Sequence, residues 1–205
     1  MSTTKDKILD AAESIFAENG FAAASLRAII GQAEVNLAAV HYHFGSKEKL
    51  LLEVLRRRVG PVNEERLRLL DRCERAAEGG VPELEKVLEA FLAPTLEVAR
   101  QPNGLVFIRL MGKLHVDDLL PGIVRREFGE LLARFGGALR RALPELPEEE
   151  LQWRSYLAMG AVAQAMRLAV AAPEGTAEAA LERLIAFLSA GFRVPLPQPA
   201  GKEED

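Results

Sequence analysis

Apolar residues recur at three- and four-residue intervals along nearly the whole of this chain, and no segment alternates apolar with polar side chains as a half-buried strand requires. That periodicity confines the fold to packed helices. Leu and Ala supply 62 of the 205 residues, against 25 for Val, Ile and Thr combined, which points the same way. The single cysteine, Cys73, can form neither an internal disulfide nor a cysteine-based zinc site, which fits a reducing compartment. No uninterrupted apolar run approaches the ~20 residues of a membrane helix, and no signal-peptide core follows Met1-Ser2-Thr3-Thr4-Lys5-Asp6-Lys7. The expected location is the cytoplasm, with no membrane partner.

From Lys5 to Glu18, Ile8, Leu9, Ala12, Ile15 and Phe16 form one stripe of an amphipathic helix, and Gly20 is expected to end it as a left-handed cap. Ser25 can cap a second short helix running through Gln32, and Asn36 a third running through His43. Two short helices so closely spaced make a helix-turn-helix candidate. Gly45-Ser46 closes the third helix and caps a fourth, whose Leu50, Leu51, Val54 and Leu55 mark one face. Gly60-Pro61 is expected to break or kink that helix, because proline removes a backbone donor. Further helices are expected over Val62–Ala77 and over 82–100, 105–116, 122–142, 148–171 and 176–191, with a disordered Pro-rich, charged tail at 194–205.

Charge divides unevenly. Residues 1–60 carry 8 Lys/Arg and 7 Asp/Glu, net +1, whereas 61–205 carry 18 and 23, net −5. Any DNA-facing end is therefore the first. Arg56-Arg57-Arg58 is expected to be a solvated helical surface, because three consecutive residues spread over three faces. No reaction chemistry is visible: three histidines without triad spacing, one cysteine, no phosphate-cradling glycine loop and no ligand cluster leave no enzyme, metal or cofactor to expect. His41 and His43 lie two apart, on different helical faces, and do not make a zinc site.

Ile8-Leu9-Asp10-Ala11-Ala12, Phe16, Gly20-Phe21, Ser25-Leu26-Arg27 and above all Val40-His41-Tyr42-His43-Phe44-Gly45-Ser46-Lys47-Glu48-Lys49-Leu50-Leu51 resemble the TetR family of bacterial transcriptional repressors over roughly residues 3–58. The resemblance implies an all-α fold: a helix-turn-helix DNA-binding domain over 1–60 and a helical ligand-binding and dimerisation domain over 61–193. It also implies a homodimer on a double-stranded palindromic operator, since one short reading helix recognises too little sequence and two of them ~34 Å apart read successive major-groove faces.

In such a head the third helix enters the major groove N-terminus first. The candidates facing base edges are Asn36, Leu37, Ala38, Ala39 and His41, an unusually apolar set in which Leu37 and the alanines touch only thymine methyls or exclude water. Arg27 matches a family position that often reaches a base, and can equally be an exposed salt-bridging arginine. Tyr42 and Lys47 match positions that bind backbone phosphate. Ser25 can do the same or serve only as an N-cap. His43 and Phe44 are read as packing residues. Where the family usually places glycine, this chain has Glu34, so a left-handed turn costing about 1 kcal/mol is expected there, with an acidic side chain close to DNA.

In the larger domain, the small residues Ala158, Gly160, Ala161, Ala163 and Ala165, and the stripe Ala180, Leu181, Leu184, Ile185, Leu188 and Phe192, match the two helices that pair with their twofold mates in the family; burial within one chain is the alternative for each. By the same analogy Phe91, Leu92, Thr95, Phe107, Leu110, Met111, Leu114, Phe128, Leu132, Phe135, Met159 and Met166 surround a pocket for a small effector, or else fill an ordinary core. Arg109 and His115 are candidate partners for an anionic group. Val35-Asn36-Leu37-Ala38-Ala39-Val40, Gly60-Pro61, Phe107-Ile108-Arg109-Leu110-Met111-Gly112, Met159-Gly160-Ala161 and Phe187-Leu188-Ser189-Ala190-Gly191 look like the fatty-acid-responsive repressors of the PsrA type, which implies a fatty acid or acyl-CoA effector. A TetR-like repressor of another ligand class, or a helical ligand-binding dimer without DNA binding, are the competing readings.

Overall fold

A computed structural model of the chain describes residues 3–100, 104–116, 120–171 and 177–196. Among the described residues there are nine helices and no strand: α1 Thr4–Ala23, α2 Leu26–Ala33, α3 Leu37–Phe44, α4 Lys47–Ala76, α5 Leu84–Arg100, α6 Gly104–Val116, α7 Leu120–Ala142, α8 Glu148–Ala171 and α9 Ala177–Arg193. Of the expected tail, 197–205 lies outside the described residues.

α1 starts with a reciprocal cap. Thr3 Oγ1 accepts from the Asp6 N–H at 3.1 Å, and Asp6 Oδ2 accepts from the Thr3 N–H at 3.0 Å, so two of the donors orphaned at a helix start are satisfied together. The whole predicted stripe, Ile8, Leu9, Ala12, Ile15 and Phe16, is buried. Gly20 does not form the expected left-handed cap. Its backbone (φ 77°, ψ 165°) lies in the extended positive-φ region that only glycine enters readily, and one further turn follows to Ala23.

α1, α2, α3 and the first half of α4 share one core, built on Ile8, Phe16, Ile29, Val40, Leu50, Leu51, Val54 and Leu55. Leu110 of α6 is fully enclosed in that same core, with Val106 and Met111 packed against it. An adjoining face of α6 puts Phe107, together with Met111, against Val59 and Val62 of α4, Val98 of α5 and Phe128 of α7. One short helix is thus wedged between the N-terminal head and the interior of the larger domain. A third cluster joins α5, α8 and α9 through Leu84, Leu88, Leu92, Leu151, Val162, Leu184, Leu188 and Phe192.

Of the break or kink expected at Gly60-Pro61, the break does not occur: α4 continues as helix across the residue 60/61 boundary. Pro61 lies on the exposed side of the helix, where water can solvate the carbonyl left without its usual donor. α5 likewise runs through Pro94.

The Arg56-Arg57-Arg58 run is the solvated surface its spacing predicts only at Arg56, which is exposed; Arg57 and Arg58 turn against α1. Glu13 of α1 is 2% exposed and accepts from Arg57 Nη2 at 2.9 Å and Arg58 Nε at 2.8 Å, while Arg57 also meets Asp10 at 2.8 Å and Arg56 pairs with Glu53 at 2.9 Å. The carboxylate sits one turn from Leu9 on the buried side of α1, so it leaves water only because two guanidiniums meet it. Glu13→Ala leaves Arg58 without its carboxylate and Arg57 with Asp10 alone. The arginines keep partial contact with water, which lowers the cost below that of a fully buried pair, and urea unfolding should show a loss of about 2–3 kcal/mol. A change indistinguishable from zero would mean that the cluster does not hold α1 to α4.

Candidate nucleic-acid interface

Each short helix of the head is set by its own cap. Ser25 Oγ accepts from the Ala28 N–H at 3.1 Å and Asn36 Oδ1 from the Ala39 N–H at 2.8 Å, and the serine before α4 accepts from the Lys49 N–H at 3.2 Å. Between α2 and α3 the chain turns through Glu34, whose φ of 54° and ψ of 46° are left-handed as expected from the missing glycine. Its side chain is exposed beside the start of α3.

α3 is anchored on one side by Val40 and Phe44, both buried, which leaves its other side open. Asn36, Leu37, Ala38, His41 and Tyr42 are exposed, Leu37 by 47% and Tyr42 by 86%. Ala39 is half-buried against the head core. Among the described residues no other helix covers this apolar and aromatic surface. The His41 ring is turned so that Nδ1 lies 3.1 Å from the Gly45 carbonyl, where the protonated nitrogen donates and leaves Nε2 pointing away. His43, expected to pack, is instead exposed, with its ring edge-on to Tyr42 at 5.1 Å and tilted against Phe44 at 6.0 Å. Phe44 already occupies the inward position of that turn. Among the described residues no group of three potential metal ligands is present.

Arg27 on α2 is exposed, and no hydrogen bond or ion pair ties it within the described residues. Lys47 is placed differently. Its Nζ donates to the carbonyls of Phe21 and Ala24, both at 2.8 Å, reaches Ala22 at 3.4 Å, and lies 4.5 Å from the centre of the Phe21 ring. The cation thus closes the C-terminal end of α1, where the helix dipole favours positive charge.

The residues expected to enclose an effector are not all brought together. Phe107, Met111 and Phe128 converge beside α4 as described, and Phe91 and Thr95 lie on the adjoining turns of α5. Leu132 and Met159 instead line an open groove of about 480 Å³ between α7 and α8, and Met166 packs against the third cluster, shared by α5, α8 and α9. Arg109 is exposed, and the side chains of Leu114 and His115 lie outside the described residues.

The buried cation of this region is Arg66, which the sequence reading passed over. It is 9% exposed, donates from Nε to the Phe91 carbonyl at 2.9 Å, from Nη1 to Asn63 Oδ1 at 2.9 Å and from Nη2 to Thr95 Oγ1, and lies 4.1 Å from the centre of the Phe91 ring. Burial pushes the guanidinium pKa down to about 10. A signal was available: Val59, Val62, Arg66 and Leu70 follow one another at three- and four-residue steps along the buried face of α4.

The expected pairing stripe of α9 also turns inward. Leu184, Leu188 and Phe192 are buried against α5, and Ala180, Leu181 and Ile185 are partly buried. The face of α8 and α9 left open carries Trp153 (61% exposed), Tyr156 (75%), Leu157 (59%) and Phe187 (67%), with Gly160 and Ala163 between them.

Comparison with known proteins agrees with both halves of this description. Residues 8–54 match the family described as bacterial regulatory proteins, tetR family, and residues 89–191 match the tetracyclin repressor-like C-terminal domain. The HTH-type transcriptional regulator UidR of Escherichia coli (strain K12) is 40% identical over 52 residues, 25% of this chain and 26% of UidR. The chain thus matches about a quarter of the length of such curated relatives. A transcriptional regulator of the TerR/AcrR family from Aquifex aeolicus VF5 superposes with a TM-score of 0.57 at 21% identity, over 91% of this chain and 98% of that one. The TetR family regulator CifR, solved as a cysteine mutant with 26 bp double-strand operator DNA, superposes with a TM-score of 0.55 at 23% identity, over 91% and 94% of the two chains.

Proposed function

Because this chain belongs to the TetR family of bacterial regulatory proteins, we propose that it is a transcriptional repressor that binds a palindromic operator as a homodimer and releases it when a small apolar effector enters the larger domain. The observation that carries this reading is α3, held to the head core by Val40 and Phe44 while the rest of its surface stands free.

On that reading Asn36, with Oδ1 engaged in its cap, offers its amide N–H groups to a base acceptor, and His41 offers Nε2. Leu37, Ala38 and Ala39 supply thymine-methyl contacts. Ser25 keeps its hydroxyl proton for a phosphate, and the exposed Tyr42 hydroxyl does the same. Lys47 contributes as a charge near the DNA rather than as a free donor, since its N–H groups are directed at α1. Arg27 is the one unpaired cation among these positions and takes the strongest base contact. Arg27→Ala should therefore weaken operator binding by about 1–3 kcal/mol and relax preference at one position in each half-site. Equal affinity and an unchanged sequence preference, read by fluorescence anisotropy on single-base variants, would remove Arg27 from the reading surface.

The open apolar face of α8 and α9 is the surface proposed to pair with a second copy, because exposed aromatic and aliphatic side chains at helical spacing gain most by mutual burial. The effector is proposed to be of the fatty acid or acyl-CoA class, entering beside Phe107, Met111 and Phe128. α6 supplies the coupling: it packs on the head through Leu110 and on that apolar cluster through Phe107, so a ligand that displaces one side shifts the other. A ligand moves this equilibrium only through its different affinity for the two states. Titrating dodecanoic acid into the protein held on a retained duplex tests the reading. Release of DNA with rising ligand supports it, whereas bound ligand with DNA still retained would leave only a DNA-binding dimer, and ligand binding without retention of any duplex would favour a helical ligand-binding dimer.

A further inference from the structure

We infer that Arg66 is the counter-ion of a carboxylate, so that the effector of the larger domain is a free apolar acid rather than its thioester or a neutral lipid. The inference rests on the effector reading above and narrows it. A guanidinium carries five N–H donors, and three of those of Arg66 go to neutral oxygens: the Phe91 carbonyl, Asn63 Oδ1 and Thr95 Oγ1. No carboxylate meets it among the described residues, in contrast to Arg57, Arg58, Arg134 and Arg193, each of which is paired with Asp or Glu. Yet Arg66 is the most enclosed of these arginines in its surroundings of α4 and α5. A buried cation held by three neutral acceptors and the face of the Phe91 ring, with no formal counter-charge, retains an attraction for an anion.

The neighbouring register shows what kind of anion fits. Val62 is one turn before Arg66 on α4, and Val98 is one turn after Thr95 on α5, and both belong to the apolar cluster with Phe107, Met111 and Phe128. The charge therefore lies at one end of a buried apolar cluster, which an amphiphile would part to place its carboxylate at Arg66 and its chain along the valines. An acyl thioester carries no charge at the carbon where the chain begins, and its phosphates lie many bonds away. A structural role, in which Arg66 only ties α4 to α5 beside Pro94, uses the same three hydrogen bonds and predicts no preference for acids.

Calorimetric titration of the full chain with dodecanoic acid, dodecanol and dodecanoyl-CoA separates these readings. In the unaltered protein the acid should bind at least about tenfold more tightly than the alcohol or the thioester, as one charge-assisted hydrogen-bonded pair implies. Arg66→Gln should erase that preference, so that the acid binds no more tightly than the alcohol, and Arg66→Lys should retain part of it. The acid–alcohol comparison in the unaltered chain needs no variant to fold. Equal binding of acid and alcohol, tightest binding of the thioester, or an acid preference that survives Arg66→Gln would each overturn the inference while leaving an apolar effector in place. Binding of none of the three would overturn it together with the effector class proposed above.

Discussion

Introducing charge into the open face of α8 and α9 should give a folded monomer that no longer holds its operator. Leu157→Glu combined with Phe187→Glu alters two side chains that are 59% and 67% exposed within one chain, so each substitution should change protomer stability by no more than about 0.5 kcal/mol. In a twofold pair the same carboxylates face apolar side chains, lose water and find no partner, which disfavours association by several kcal/mol. Two heads on one dimer bind a palindrome with the second contact made intramolecular, so separating them should lower affinity by a factor of about 10²–10⁴. Sedimentation should show half the unaltered mass and thermal unfolding a near-normal midpoint. A dimer that persists, or a monomer that keeps full operator affinity, would show that this face is not what joins the two copies.

Leu110→Ala should destabilise the head, although the residue stands far from it in the sequence. The leucine is fully enclosed, yet it belongs to α6, and its neighbours in the cluster come from α1 to α4. Removing its side chain leaves a cavity that the surrounding helices, fixed by their own caps, close only in part, at a cost of about 3–5 kcal/mol. Leu110→Met, which nearly conserves volume, should cost less than about 1.5 kcal/mol. The alanine variant should also separate the two functions: effector binding persists, but a weakened head–α6 contact transmits less of it, so duplex release requires more ligand. Denaturant unfolding within about 1 kcal/mol of the unaltered chain would mean that α6 is not part of the head core.

Helix positions were readable in the sequence because caps and stripes are local. Thr3, Ser25, Asn36 and Ser46 each accept from a backbone N–H three residues on, and the α1 stripe is buried as its spacing predicts. Glu34 was legible too, since a residue where a tight turn needs positive φ adopts it whatever its side chain. What local pattern could not supply was pairing between distant helices. Glu13 and Arg66 stand on buried faces where their charge looks misplaced, and only the tertiary fold shows that one meets two arginines and the other meets neutral oxygens and an aromatic ring. The α9 stripe shows the same limit: its period fixes a buried face, not whether α5 or a second copy covers it. Lys47 matches a family position that binds phosphate, whereas its partners within the chain are the carbonyls of Phe21, Ala22 and Ala24.

The central claim, that two α3 helices read DNA together, is tested most directly by enriching random duplexes on the purified full-length chain and sequencing what is retained. The account predicts an inverted repeat whose half-site centres lie about 10 bp, or a multiple of that, apart, with its preference relaxed at one position per half-site by Arg27→Ala. Retention of duplexes with no shared sequence, or of a single unrepeated site, would contradict it.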